Sequence, residues 1–195
     1  MVTLPIHQVA NVRVGLTLRG REVPRPERAP ACRLVRIGDI DDDGRLTQSE
    51  LVAFSPATSV KAVHFLQRGD ILFPNRGTRN VAAVFDREET NALAGSQFLI
   101  LRPDPRQLVP AYLAWYLSSP AAAAHLNEFR CGSVVLTLPS GALESLVMPL
   151  PTLAKQTAIA ALHALSLREQ ALQAEISRLR AAVVQQQLLS IVTTP

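Results

Sequence analysis

A group of acidic residues around residue 45 has the spacing of a calcium-binding loop. Carboxylates occupy the ligand positions of the twelve-residue pattern and a glycine its turn position: Asp39, Asp41, Asp43, Gly44 and Glu50. Carboxylate oxygens at this spacing could coordinate Ca²⁺. A loop of this kind follows a helix, whereas the preceding segment alternates like a strand and ends at Gly38. We therefore interpret residues 39–50 as an acidic β-turn with no metal site, and calcium binding is the alternative.

No motif of an enzyme active site is recognisable. The sequence contains no Gly-x-Ser-x-Gly nucleophile turn, no phosphate-binding loop and no His-Glu-x-x-His zinc motif. The four histidines stand apart from one another and from the two cysteines, Cys32 and Cys131, so neither a zinc site nor a disulfide framework is expected. We predict a non-catalytic protein with no cofactor.

Arginines and amides in one short loop could instead read the edges of bases. The net charge is +4, and every basic residue except Lys61 and Lys155 is an arginine, whose forked guanidinium suits phosphate and guanine. The loop residues lie between two apolar runs: Asn75, Arg76, Gly77, Thr78, Arg79 and Asn80. The arginines could bind guanine or phosphate, and the asparagines could read adenine. A solvated hairpin loop is the alternative, and a GC-rich genome would also favour arginine over lysine.

Two further groups could contact the same kind of ligand. Arg130, Gly132 and Ser133 precede a predicted strand, where the alternative is an ordinary surface turn. The other group lies in a stretch rich in proline and arginine, where the alternative is a solvated loop: Arg19, Arg21 and Arg25.

The elements that must position these residues fall into two regions of different composition. Residues 1–151 hold nearly all the glycine and proline, and the stiff connector at 149–151 cannot lie inside a helix. Alternating or β-branched runs predict strands over residues 32–37, 70–73, 81–85, 97–102, 134–138 and 147–150. Helical spacing predicts helices over residues 110–118 and 121–129 and a helical turn over residues 140–146. The predicted class is α+β, with a mixed, β-rich domain.

Residues 152–195 are predicted to form one long, coiled-coil-like helix that begins near Thr152. From Ala158 the residues at intervals of three and four are mostly apolar, with polar faults at Glu169 and Gln186. The apolar residues of this stripe are Leu162, Leu165, Leu172, Ile176, Leu179 and Val183. A helix of about 35 residues is roughly 50 Å long, and its apolar stripe needs a partner helix of similar length. The chain offers no second one, so we predict a homodimer through this stripe.

Nothing in the sequence predicts a membrane or secreted protein. No segment resembles a span of about 20 apolar residues, and the first residues lack the pattern of a signal peptide. Two distant cysteines fit a reducing compartment, so we expect a cytoplasmic protein.

Several motifs taken together resemble the specificity subunits of type I restriction–modification systems. In order, they are LVRIGDI at 34–40, QRGDILF at 67–73, RGT at 76–78, FLILR at 98–102, PAYLAWYL at 110–117 and MPLPTLAKQ at 148–156. The Pro-Leu-Pro junction leading through Gln156 into a long helix is the most specific of them. Their order and spacing match one target-recognition domain and the helix that follows it, over nearly the whole chain. The insert at 21–30 departs from the family pattern.

The resemblance implies sequence-specific recognition of double-stranded DNA without catalysis. Full-length subunits carry two recognition domains and two helices that pack antiparallel, so this chain resembles a half-subunit. The implied partners are methyltransferase subunits and, through them, the restriction and translocase subunit, directed to a bipartite site. Two alternatives are an interaction protein built on the long helix, with calcium at residues 39–50, and an orphan or decoy regulator.

Overall fold

The structure, a computed structural model, describes residues 2–17, 20–22, 32–47 and 50–193. The chain divides into two compact units, Met1–Thr157 and Ala158–Pro195. The first contains all the strands of the described residues and three helices, and the second continues one long helix. The α+β class predicted from the sequence is confirmed.

The described strands of the first unit are short and form three sheets. They are β1 (Thr3–Pro5), β2 (Ala10–Val14), β3 (Gly20–Glu22), β4 (Cys32–Val35), β5 (Val52–Pro56), β6 (Ile71–Pro74), β7 (Ala83–Val84), β8 (Ala92–Ala94), β9 (Phe98–Pro103) and β10 (Val147–Pro149). One sheet has the order β2-β9-β6-β7, another β3-β5-β4-β8, and the third pairs β1 with β10. All pairs are antiparallel except β4 with β8, so the first unit is mixed, as predicted.

The main hydrophobic core draws on strands of both four-stranded sheets. All four residues of β6 are buried, and so are all residues of β9 except Arg102. Unbroken apolar runs are typical of strands that are covered on both faces. The core residues come from β4, β6, β7, β8, β9 and the segments beside them: Val35, Ile40, Leu51, Leu66, Leu72, Ala83, Phe85, Ala92, Ala94, Phe98 and Ile100.

Four helices follow the last strand of the large sheets. They are α1 (Pro110–Leu117), α2 (Pro120–Glu128), α3 (Ser140–Ser145) and α4 (Leu153–Thr193). α1 and α2 begin with proline, which is well suited to a first helical turn. Two tyrosines of α1 donate to carbonyls of β10, Tyr112 to Pro149 at 2.8 Å and Tyr116 to Val147 at 3.0 Å. These bonds join α1 to the connector that precedes α4.

The aspartate of the QRGDILF segment, Asp70, is buried and forms an ion pair with Arg102. Asp70 is 1% exposed, and its two oxygens accept from Nε and Nη2 of Arg102, each at 2.7 Å. The backbone N–H of Gln67 donates to the same carboxylate at 2.9 Å. The hydrogen bonds from Arg102 to Asp70 raise the pKa of Arg102, which also donates to the carbonyl of Phe65. Arg13 lies close enough for the Asp70 charge to act on it, although burial lowers its pKa overall.

Gln156, the last residue of the Pro-Leu-Pro junction motif, is completely buried in the first turns of α4. Its oxygen accepts from the N–H of Val109 at 2.8 Å, just ahead of α1. Its amide nitrogen donates to the carbonyls of Gln107 at 2.9 Å and Pro151 at 2.8 Å. One side chain therefore satisfies three backbone groups and ties the start of α4 to the segment before α1.

We expect Gln156→Ala to destabilise the first unit by about 2–3 kcal/mol. Each internal hydrogen bond contributes about 1 kcal/mol, and truncation also leaves buried backbone groups unpaired. Urea unfolding monitored by Trp115 fluorescence measures the change. Gln170→Ala, at an exposed position of the same helix, should change the free energy of unfolding by less than about 0.5 kcal/mol. Equal effects of the two substitutions would contradict this role of Gln156.

Several predicted elements differ from those observed. Residues 134–138 form no strand, because Cys131 and Thr137 pair with each other and close the segment into a loop. The strand at 32–37 ends at Val35 and gives way to a 3₁₀ turn at Ile37–Asp39, and the one at 81–85 is only Ala83–Val84. β1, β2, β3, β5 and β8 were not predicted, since each is short and is held by distant partners. No helix within the described residues is long and apolar enough to cross a membrane.

Candidate nucleic-acid interface

Two loops that are far apart in the sequence meet at one surface. Loop A is residues 75–80, after β6, and loop B is residues 129–138, after α2. The N–H of Gly77 donates to the carbonyl of Leu136 at 2.8 Å, and the N–H of Leu138 donates to that of Asn75 at 2.7 Å. Arg76 and Thr137 form an antiparallel bridge between them. The fold thus joins two of the three residue groups singled out in the sequence.

Arg130 of loop B holds the two loops together. Nη1 donates to the carbonyl of Gly77 at 2.6 Å and Nη2 to Oδ1 of Asn80 at 2.7 Å. Nε donates to Oδ1 of Asn127 at 3.1 Å, an oxygen that also accepts from Nδ2 of Asn80. Burial lowers the pKa of the Arg130 guanidinium, but an arginine stays protonated at neutral pH. Arg130 and Asn80 therefore position loop A.

Asn75 lies inside the protein, contrary to the prediction that it could read adenine. The side chain is 6% exposed, and Nδ2 donates to the carbonyl of Ser96 at 3.0 Å. Its backbone N–H and carbonyl pair with Gln97 and Leu138. The end of β6 carries the residue into the interior, which no local pattern in the sequence indicates.

Arg79 has a structural role that corrects its assignment as a free base-reading residue. Nη2 donates to the carbonyls of Ile40, at 2.8 Å, and Asp41. The same nitrogen lies 3.2 Å from Oδ1 of Asp42. Loop A is thereby fastened to the acidic turn at residues 41–44, and the positive charge of Arg79 is largely compensated there.

The acidic turn is a hairpin built on its own carboxylates. Asp39 is 2% exposed, so it is not the solvated residue expected from the sequence, and its Oδ2 accepts from the N–H of Arg36 at 2.8 Å. Oδ1 of Asp41 accepts from the N–H groups of Asp43 at 3.0 Å and Arg45 at 2.8 Å. Within the described residues, which omit 48 and 49, no three metal-ligating side chains come together.

Of the polar loop residues proposed from the sequence as DNA contacts, Arg76, Thr78 and Ser133 are exposed. Within the described part of the chain, the guanidinium of Arg76 has no ion pair or hydrogen bond. Gly77, between the two loop A residues, has a φ of +78°, a conformation that other residues rarely adopt. Arg76 is therefore presented at the surface by a turn that requires glycine.

Most of the third predicted group, which is Arg19, Arg21 and Arg25, falls outside the residues that the structure describes. Arg19 and Arg25 are outside the described residues. Arg21 belongs to β3, where its backbone pairs with Ser55 of β5, but its side chain is not described.

Sequence reasoning missed two contributors to this surface. Asn127 completes the Arg130 and Asn80 network from the end of α2, and its only signal was an amide three residues before an arginine. The second is an exposed apolar tip at residues 134–136, which was interpreted as a strand. A run of β-branched residues after glycine suits either a strand or a protruding loop, and only the tertiary pairing distinguishes them.

Three solved structures share this architecture over most of the chain. A chain from a structure on complex assembly and conformational transition of the type I R-M system matches with a TM-score of 0.65 and 15% identity, over 96% of this chain and 43% of that one. The HsdS subunit from Thermoanaerobacter tengcongensis matches with a TM-score of 0.64 and 19% identity, over 96% of this chain and 46% of that one. The type I S subunit from M. genitalium matches with a TM-score of 0.57 and 16% identity, over 90% of this chain and 41% of that one.

The fold is that of a type I specificity subunit. The resemblance carried by the sequence motifs is thus confirmed at the level of fold. No protein-family model and no curated protein matches the sequence. The chain spans less than half the length of the specificity subunits with which it superposes.

Proposed function

We propose that the chain is a non-catalytic DNA-recognition subunit that works as half of a type I specificity subunit. The observation that supports this most directly is the specificity-subunit fold, which extends over nearly the whole chain. Loops A and B then form the DNA-contacting surface of its single recognition domain.

Within this surface we assign different parts to different residues. Arg76, Thr78 and Ser133 contact DNA directly, since all three are exposed. Arg79, Arg130 and Asn80 shape loop A through the bonds described above, and Gly77 supplies its turn. Arg19 and Arg21 remain predicted contacts.

The proposed partners follow from the same fold. Methyltransferase subunits would supply the chemistry, and a restriction and translocase subunit would join through them. A second copy of this chain would complete the specificity subunit by pairing along α4, whose stripe residues are each between 47% and 70% exposed: Leu162, Leu165, Leu172, Ile176, Leu179 and Val183. Two-fold symmetry would give a target of two inverted half-sites with a fixed gap. Pairing with a different half-subunit would remove that symmetry.

We expect Arg76→Ala to weaken binding to a selected duplex by about 10- to 100-fold. A forked contact to a base contributes about 1–3 kcal/mol. The target is first obtained by selecting bound molecules from a randomised duplex pool with the full chain, with and without a methyltransferase partner. Fluorescence anisotropy at several salt concentrations then gives the affinities and the salt slope.

Arg106→Ala is the matched control, because Arg106 is an exposed arginine on the turn before α1. It should leave the affinity for the selected duplex within about twofold. An unchanged affinity for Arg76→Ala would remove loop A from the interface. Failure to enrich any duplex, alone or with the partner, would contradict DNA recognition and favour an interaction protein built on α4.

A further inference from the structure

Three consecutive apolar residues, 134–136, are exposed at the tip of loop B. Val134 is 94% exposed, Val135 51% and Leu136 38%. Single exposed apolar side chains are ordinary, but a run of three is unfavourable in water unless it serves a function. Exposed apolar groups that cluster in this way are typical of contact sites.

The tip is held away from the core by its own backbone. The N–H of Cys131 donates to the carbonyl of Thr137 at 3.0 Å, and that of Thr137 donates back at 2.7 Å. Gly132 has a φ of +126°, and a Cβ atom there would lie 2.4 Å from the carbonyl oxygen of Val135. Leu138, the last residue of loop B, is 1% exposed and anchors it. The tip therefore protrudes from a closed loop.

The exposed guanidinium beside the tip favours a polyanion over an apolar protein partner. Residues 129–143 and residues 71–85 contain arginines and no carboxylate, and the acidic turn beside loop A pairs with Arg79 through Asp42. Arg76 is exposed directly beside the tip, through its bridge to Thr137. Arg130 is bonded to Gly77, which in turn bonds to Leu136. An apolar point beside an exposed guanidinium suits a ligand that is anionic outside and carries apolar groups in a groove.

We propose that Val134, supported by Val135, reads thymine by contacting its C5-methyl group in the major groove. An aliphatic side chain offers no hydrogen bond to a phosphate or to a polar base edge. The thymine methyl is the apolar group that a base pair presents in that groove, and 5-methylcytosine carries the same group. Val134 is thus a specificity-determining residue that favours A·T pairs at one or two positions, while Arg76 provides polar contacts beside it. This inference rests on the proposed DNA-recognition function.

The test uses the duplex selected by the full-length chain and removes one methyl group at a time. Each thymine of the selected duplex is replaced singly by uracil, and affinities are measured for the wild type, Val134→Ala and Val63→Ala. Val63 is an exposed valine on a different turn, 58% exposed, and serves as the control. Thermal unfolding verifies that each variant is folded, which the exposure of both positions leads us to expect.

We expect one or two uracil substitutions to weaken wild-type binding by about three- to tenfold, the range for losing one or two buried methyl groups. Val134→Ala should weaken binding to the thymine duplex by a similar factor and should be insensitive to uracil at those positions. Val63→Ala should behave like the wild type.

Three outcomes would overturn the inference while leaving DNA recognition intact. They are no fixed thymine in the selected duplexes, an unchanged affinity for Val134→Ala, and an equal loss for Val134→Ala on thymine and uracil duplexes. The last outcome would indicate insertion of the tip between base pairs or contact with a sugar. If no duplex is enriched at all, the proposed function fails first.

Discussion

Replacing Leu172 and Leu179 by aspartate is expected to convert a dimer of this chain into a monomer. The pair of substitutions brings four carboxylates into the shared stripe, and each buried, unpaired charge opposes association by several kcal/mol. The dissociation constant should rise at least about a thousandfold. Sedimentation velocity at micromolar concentrations measures the change, and circular dichroism checks that the helix persists.

The matched control for this experiment is Ala174→Asp with Ala181→Asp. Each alanine lies two residues beyond a stripe leucine, about 200° around the helix, so the same charges are added on the opposite face. This variant should remain dimeric. A wild type that is monomeric at tens of micromolar, with α4 still helical, would contradict self-association and assign the stripe to a different subunit.

The Asp70→Asn substitution is expected to destabilise the first unit by about 3–5 kcal/mol. It neutralises a carboxylate that is 1% exposed and leaves Arg102 without its counter-charge, and breaking a buried pair from one side costs about that much. A small domain is stable by only about 5–15 kcal/mol, so the midpoint of urea unfolding should fall far. Equilibrium urea unfolding of the full chain, followed by Trp115 fluorescence, gives the difference.

Two comparison variants distinguish the stability contribution of the Asp70–Arg102 pair from the effect of changing any surface charge. Asp42→Asn neutralises a fully exposed aspartate that pairs with Arg79, and it should change stability little because surface pairs contribute little. Asp70→Leu combined with Arg102→Met removes both members of the pair and should be less destabilised than Asp70→Asn, since Arg102 is then not left without its counter-charge. A double variant less stable than the single one would contradict this reasoning.

Gln156 and Asp70 show why a motif residue can be recognised in the sequence before its structural role is known. Gln156 stood out as the end of the junction motif, yet the groups that it bonds lie at Gln107, Val109 and Pro151. Asp70 belonged to a noticeable turn sequence, but its partner Arg102 is on another strand. In both cases the residue type signals importance, and the reason is a contact between segments that no local pattern contains.

The loop arginines show the same limit at the candidate site. Arg76, Arg79 and Arg130 looked equivalent in the sequence, since each is an arginine in a polar loop. The structure divides them, because Arg79 is bonded to the acidic turn and Arg130 to loop A, whereas Arg76 is exposed. Which arginine is available depends on which acceptors the fold brings within about 3 Å, and sequence distance carries no information about that.

The sequence by itself determined the features that depend on neighbouring residues. The mostly apolar spacing of residues 158–183, in a stretch without glycine or proline, specifies one long helix. Prolines 149 and 151 end the globular region before it, and apolar runs specify β6 and β9. The tertiary structure alone decided the pairing of β1 with β10, the joining of loops A and B, and the burial of Asn75. The physical reason is that helix and strand propensities act over a few residues, whereas pairing and burial are settled by the packing of the whole core.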